Sequence, residues 1–254
     1  MSVPVGRYVT ETSTHEPPGY THPEWAKRFP WLVQGTTGRS SQAEPFDLGI
    51  FAVASAARDV MERWERLRKA TGLPSVVHAH QVHGADVRVH AMGPPGLHLM
   101  RECDGHATHD PGVLLAVTTA DCVPVFIVDP VRGAVALLHA GWRGTAFGIV
   151  ERGIETLAAG SSARADLHVH LGPAICGECY EVGPEVFEAL KLPAPSGPEP
   201  VDLRQVMAHR VHEAGVPAEQ ITLSTLCTLC GGAGLFSHRG GDGGRQVGYL
   251  GMRL

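Results

Sequence analysis

The 254-residue sequence is short of the features that mark membrane, nucleic-acid-binding or secreted proteins. Its 21 basic and 26 acidic residues leave a net charge of −5, and neither sign gathers into a long block. That excludes the charged tail that nucleic acid or anionic lipid requires, so neither is expected as a partner. Met1 to Tyr20 lacks an apolar stretch of signal-peptide or transmembrane length, and the expected location is the cytoplasm. Six cysteines in such a chain are expected to stay reduced, as metal ligands, nucleophiles or core residues. Internal repeats are absent as well. What remains, 43% hydrophobic and 19% charged residues, is the composition of a chain that buries an ordinary core.

Residues 1–30, with Pro17, Pro18, Gly19 and Pro23 among polar residues, read as a loosely ordered arm before a single domain over 31–254. Ala54 to Ala70 places Val60, Met61, Trp64 and Leu67 at helical spacing and stops before Gly72. Val76 to His90 reads as two strands joined by a bend at His83-Gly84, and Val113 to Thr118 as a strand buried on both faces. Val123 to Val128 and Ala134 to His139 flank Asp129-Pro130-Val131-Arg132-Gly133, which makes them a hairpin. A helix over Thr145 to Ala159, with Phe147, Val150, Ile154 and Leu157 on one face, ends before Gly160. Later elements are a strand at Leu167 to Leu171, a helix opening at Pro184, and a helix opened by an Asp202-x-x-Gln205 capping box and closed at Gly215. Strands near Ile221 to Thr225 and Gln246 to Leu250 complete the set.

The hairpin carries the chemistry. If Val128 pairs with Ala134, Cys122 and His139 meet at its open end, within roughly 4.5–8 Å between β-carbons. A thiolate and a neutral imidazole are preferred zinc ligands, and a catalytic zinc takes three protein donors with a fourth position open. His78, His80 and His83 all come from a segment that can reach the pair, and spacing does not choose among them. A buried cysteine and a satisfied core histidine would explain the pair alone. Gly141-Trp142-Arg143-Gly144 adds more than packing needs, because it leads into a helix whose first N–H groups suit an anion, with Arg143 as a forked cation. Two further pairs, Cys176-x-x-Cys179 and Cys227-x-x-Cys230, have the spacing of a four-thiolate zinc site, although their separation is wider than in a zinc ribbon.

The sequence resembles a family variously called multicopper polyphenol oxidoreductase (laccase-like), purine nucleoside phosphorylase or peptidoglycan editing factor. The resemblance rests on His80-Gln81-Val82-His83-Gly84, Thr119-Ala120-Asp121-Cys122-Val123-Pro124-Val125, His139-Ala140-Gly141-Trp142-Arg143-Gly144, Leu171 to Ile175 with Tyr180 to Gly183, and Phe236-Ser237-His238-Arg239. It implies a metal held by His83, Cys122 and His139, and so selects His83 among the three candidates. It also implies an α+β single domain of mixed β-sheets packed face to face with flanking helices, similar to the necrotizing-factor toxin catalytic domain. Gly35 to Arg39 stands near the family's His-Gly-x-x-Thr-Arg pattern, which puts Arg39 at the substrate pocket.

The activity implied is phosphorolysis of purine nucleosides, methylthioadenosine included, and deamination of adenosine, by a zinc enzyme acting on nucleoside and phosphate as a monomer. In that scheme His83, Cys122 and His139 form the reaction centre, Asp121 serves proton transfer or supports a ligand, Gln81 hydrogen-bonds nearby, and Arg143 seats phosphate. Two alternatives stand beside it. Copper-dependent oxidation of phenols fits the same ligands but needs a further histidine cluster, and a cysteine hydrolase would use Cys122 as nucleophile and His139 as base.

Overall fold

The computed structural model describes residues 4–40, 44–52, 54–159 and 163–254. Among these, two seven-stranded mixed sheets form one α+β domain. The first sheet runs, in spatial order, β1 (Arg7–Val9), β15 (Ile221–Ser224), β12 (His168–Leu171), β10 (Val123–Asp129), β11 (Ala134–Ala140), β8 (Gly105–Thr108) and β6 (Val87–Val89). The second runs β2 (Thr12–His15), β3 (Pro18–Thr21), β4 (Leu32–Thr37), β16 (Gln246–Met252), β9 (Val113–Thr119), β5 (Ser75–Ala79) and β7 (Gly96–Met100). A separate two-stranded ladder joins β13 (Glu181–Val182) to β14 (Glu199–Pro200). The helices are α1 (Pro23–Arg28), α2 (Ala57–Thr71), α3 (Trp142–Ala146), α4 (Ile149–Ala158), α5 (Pro184–Leu190) and α6 (Leu203–Glu213). None of the described helices is long and apolar enough to cross a membrane.

Strand periodicity divides the core into layers. Phe126, Val128, Val135 and Leu137 of the first sheet meet Leu115, Val117 and Leu250 of the second. The alternate positions Val125, Ile127, Ala136 and Leu138 face outward under Ile154 and Leu157 of α4 and Met207 and Val211 of α6. On the far side, Val60, Trp64 and Leu67 of α2 cover Val76, Leu114, Ala116 and Val247. Helices thus cover both outer faces, which is why β9, β10 and β11 read as nearly unbroken apolar runs.

Several expectations need correcting. Residues 4–30 are not a loose arm, residues 1–3 lying outside the described ones: β1 pairs in parallel with β15, β3 pairs with β4, and α1 sends Trp25 into the inter-sheet core. The prolines sit where a missing N–H is tolerated, Pro17 in the turn between β2 and β3, Pro18 at the first position of β3 and Pro23 at the start of α1, and Trp25 and Phe29 supply the burial that holds the segment down. The hairpin register is Asp129↔Ala134, one residue from the Val128–Ala134 pairing expected, so His139 lies opposite Pro124 and Cys122 lies just beyond the ladder.

The helix expected over 145–159 begins earlier, at Trp142, and breaks at Gly148, whose φ of 82° ends α3 and starts α4. Phe147 consequently turns outward and is 63% exposed instead of facing the core. The expected stop at Gly160 lies outside the described residues. α2 closes on Gly72 in the left-handed conformation, as its pattern implies. Asp202 caps α6 by accepting from Arg204 and Gln205 N–H, but Gln205 Nε2 donates to the Tyr8 hydroxyl, leaving half a capping box.

Leu137 is completely buried between the sheets. Leu137→Ala should lower unfolding free energy by about 2–5 kcal/mol, read as a reduced urea midpoint at unchanged slope; a loss under about 1 kcal/mol would show that the inter-sheet layer is not close-packed.

Candidate metal centre

Two chain crossings between the sheets open onto the same end of the sandwich. β9 of the second sheet passes to β10 of the first through Ala120-Asp121-Cys122, and β5 of the second passes to β6 of the first through residues 80–86. His139 arrives at that end near the C-terminus of β11. Ligand atoms of His83, Cys122 and His139 therefore lie within 4.8 Å of one another, and the two imidazole centroids are 4.8 Å apart. Both crossings are tightly bent, with φ of 59° at His83 and 90° at Asp121. Such left-handed conformations in non-glycine residues cost roughly 1–3 kcal/mol each and persist only where the surroundings fix them. Glycines complete the approach: a Cβ at Gly141 would stand 2.9 Å from Cys122 Sγ, and one at Gly144 would stand 2.9 Å from the Gly84 carbonyl.

Asp104 does the fixing. Completely buried just before β8, it accepts N–H bonds from Val82 (3.1 Å), His83 (2.9 Å) and Gly84 (2.8 Å), and from His139 Nδ1 at 2.8 Å. Its own carbonyl accepts from His139 N at 2.7 Å. One carboxylate thus clamps the His83 turn and sets the His139 tautomer, leaving Nε2 of His139 as the ring nitrogen available to an ion. A carboxylate behind a ligating histidine is the usual support of such sites.

The charges reinforce one another. Burial opposes ionisation of Cys122, yet the His139 and His83 imidazoles outweigh it and bring the thiol down to about 6. Burial likewise opposes a charged His139, but Cys122 and Asp104 raise it to about 9. For Asp104 too, burial works upward, while the His139 bond and charge and the Gly84 and Val82 N–H groups hold the carboxyl below its ordinary range. The donor set is therefore a thiolate beside a charged imidazole fixed through Nδ1, whose Nε2 proton a binding ion would displace, and a second imidazole exposed at the surface. Two nitrogens and one sulfur suit zinc or copper and leave a coordination position open.

These three residues line a cavity of about 340 Å³ together with Phe51, His80, Gln81, Thr118, Thr119, His238 and Arg245, a size that takes a small molecule. Other expected residues fall differently. Gln81 lines the cavity, but its amide is committed to Thr118: Nε2 donates to the carbonyl at 2.8 Å, and Oε1 accepts from N at 2.7 Å and Oγ1 at 2.9 Å. Asp121 does not line it. Its carboxylate accepts from the Thr228 hydroxyl at 2.6 Å and Arg239 N at 2.7 Å, so it fastens two loops behind Cys122.

Arg39 pairs with Asp242 and lies over the Phe236 ring at 4.7 Å, bracing the loop that carries His238 without entering the cavity itself. Arg143 is exposed, folds back over Trp142 at 4.4 Å and also stays outside the cavity. With α3 only five residues long, the anion seat expected at Gly141 to Gly144 has little dipole behind it. Sequence reasoning missed Asp104, Arg245 and any role for His238. The only signal for His238 was its place in a recognised segment, and Asp104 sits in a short Cys-Asp-Gly stretch with no periodic pattern to mark it.

Fold and site together define an α+β two-sheet protein with a carboxylate-supported, three-donor centre opening on a small-molecule cavity. The sequence profile of the multi-copper polyphenol oxidoreductase laccase family matches residues 33–253, and the chain belongs to that family. It is 36% identical over 224 residues to purine nucleoside phosphorylase YlmD of Geobacillus stearothermophilus, covering 77% of this chain and 79% of that one. A purine nucleoside phosphorylase of Mycobacterium bovis is 37% identical over 219 residues (82% and 85% covered). Adenosine deaminase RL5, from an unknown prokaryotic organism, is 35% identical over 180 residues (66% and 68%). The crystal structure of YlmD from G. stearothermophilus superposes with a TM-score of 0.87 at 32% identity over 96% of this chain and all of that one. That of the hypothetical protein YfiH from Bacillus licheniformis gives 0.83 at 27%, covering 93% and 97%.

Asp104→Asn keeps the shape but replaces an acceptor oxygen with a donor nitrogen. Metal affinity, measured by competition with a chromophoric chelator, should fall about 10–100-fold; unchanged affinity would remove Asp104 from the role given to it.

Proposed function

We propose that this chain is a zinc-dependent enzyme of purine nucleosides, cleaving the glycosidic bond of adenosine, inosine, guanosine or methylthioadenosine with phosphate and deaminating adenosine with water. The observation that carries the reading is the convergence of His83, Cys122 and His139 on the wall of a cavity of nucleoside-accommodating size. Relatives of similar length named purine nucleoside phosphorylase and adenosine deaminase support the substrate class. We place the activity in a cytoplasmic monomer.

His83, Cys122 and His139 would hold the zinc, which when bound supplies Lewis-acid polarisation of the substrate or of a neighbouring water. Asp104 keeps the Nδ1 proton of His139 in place, so that this imidazole presents a fixed lone pair. Phe51 offers an aromatic face at the cavity wall on which a purine can stack. Gln81, held by Thr118, closes the wall between β5 and β9 and keeps bulk water from that side. Arg245 and His238, on the opposite loop, are the groups suited to an anion such as phosphate, in place of Arg143.

A second reading has its own observation. Cys122, His139 and Asp104 form a thiolate, imidazole and carboxylate in sequence, the constellation of a cysteine hydrolase. It carries with it the similarity to the toxin catalytic domain and peptidoglycan precursors as substrates. Copper-dependent phenol oxidation is less well supported: it needs a histidine-rich second cluster, and among the described residues the second group of metal-competent side chains is four cysteines.

Purified protein should release free purine base from inosine or adenosine only with phosphate present, and should release ammonia from adenosine. Both activities should fall to background in Cys122→Ala and after chelation, and return when zinc is restored to the wild type. Turnover that survives chelation favours the hydrolase reading, and turnover unaffected by Cys122→Ala overturns both.

A further inference from the structure

The two Cys-x-x-Cys pairs lie far apart in the chain and together in space, for a topological reason. β12 and β15 are parallel neighbours, with Val169↔Ile221 and Leu171↔Leu223 in register. The loops leaving their C-terminal ends therefore emerge side by side. The first loop carries Cys176 and Cys179 around a 3-10 turn, Gly177–Cys179, and the second carries Cys227 and Cys230. A bridge between Ala174 and Cys227, with Thr228 N donating to the Ala174 carbonyl at 3.2 Å, stitches the loops together. The width of the sequence gap thus says nothing against a shared site.

The sulfur geometry is that of a metal site. All four Sγ atoms lie within 4.8 Å of one another, and Cys176 Sγ to Cys230 Sγ is 3.7 Å. A tetrahedron with zinc–sulfur bonds of about 2.3 Å has edges of about 3.8 Å, whereas a disulfide requires about 2.05 Å, and all four cysteines are free. Cys227 Sγ is also cradled by three backbone N–H groups, from Cys176 (3.3 Å), Leu229 (3.4 Å) and Cys230 (3.5 Å). Three donors on one sulfur suit a thiolate, the form that binds metal. Packing does not account for the cluster, because Cys176 and Cys179 are only half-buried and Cys230 is exposed, whereas structural free cysteines are mostly buried.

We propose that Cys176, Cys179, Cys227 and Cys230 hold a second, structural zinc ion in a closed tetrathiolate site separate from the His83–Cys122–His139 centre. Four sulfurs complete a tetrahedron and leave no position for substrate. The four thiols give up their protons to solvent as the ion binds. The consequence reaches the first centre through Asp121. Its carbonyl accepts from Ile175 N at 3.1 Å on one cysteine loop, and its carboxylate accepts from the Thr228 hydroxyl at 2.6 Å on the other. Asp121 precedes Cys122, so a clamp on both loops fixes the strained turn that presents the Cys122 sulfur. The inference does not rest on the nucleoside reading.

Zinc per chain, determined by elemental mass spectrometry on full-length protein purified without added metal, should be two in the wild type and one in the Cys227→Ser/Cys230→Ser double variant. The ion lost should be the one whose cobalt replacement shows the intense sulfur-to-cobalt charge transfer of several thiolates. A wild-type count of one with no multi-thiolate cobalt spectrum overturns the proposal, as do disulfides among these cysteines in protein handled without oxidant. Iron in place of zinc, visible as a red colour, overturns the assignment of the ion. Should the double variant fail to fold, the cobalt spectrum of the wild type alone decides the matter, because a single Cys122 ligand cannot produce it.

Discussion

The site depends on one buried carboxylate. Removing Asp104 from water is costly unless every oxygen is matched, and it is matched by three consecutive backbone N–H groups and an imidazole. Those partners come from two segments that no strand ladder joins: the turn after β5 and the end of β11. The same bonds that make the buried charge tolerable hold His83 and His139 facing each other. In this structure the desolvation of Asp104 and the assembly of the centre are therefore one event, and the left-handed backbone at His83 is held as part of it.

Around that clamp the fold supplies direction. Central strands covered by helices on one side and by the other sheet on the other are rigid platforms, and the chain can change sheets only at their ends. Both changes of sheet used here, after β5 and after β9, deliver a potential ligand to the same mouth, and the β10–β11 hairpin returns the third. Glycines at 141 and 144 let the start of α3 lie against the Cys122 sulfur and the His83-Gly84 turn, so the small residues of that segment serve the close approach of these turns more than an anion. The loops bearing Asp121, Thr228 and Arg239 form an outer ring that steadies Cys122 from behind.

Much of this was legible in the sequence, unevenly. Apolar runs located β9, β10 and β11, and turn chemistry located the hairpin, because burial on both faces and a Pro/Gly turn leave local traces. The register missed by one residue, since composition alone does not say how many turn residues join the ladder. The apolar spacing from Phe147 to Leu157 implies one unbroken helix, whereas the positive φ of Gly148 divides it and turns Phe147 to solvent. Prolines in the first 30 residues suggested looseness, yet a turn, the first position of β3 and the start of α1 accept them, and Trp25 anchors the segment. Asp104 was invisible because its partners are 20–35 residues away and nothing in its neighbours announces burial. The two cysteine pairs were visible, but only the parallel adjacency of β12 and β15 shows why their wide spacing is no obstacle.

The central claim is that Asp104 assembles His83, Cys122 and His139 into one three-donor metal centre. Its most direct test is anomalous diffraction at the zinc edge from crystals of the protein grown without chelator. A peak about 2.0–2.3 Å from one nitrogen of each histidine and from the Cys122 sulfur, with Asp104 still bonded to His139 Nδ1, is the result predicted. No anomalous density between those three side chains, with Cys122 and His139 in direct contact instead, would contradict the account.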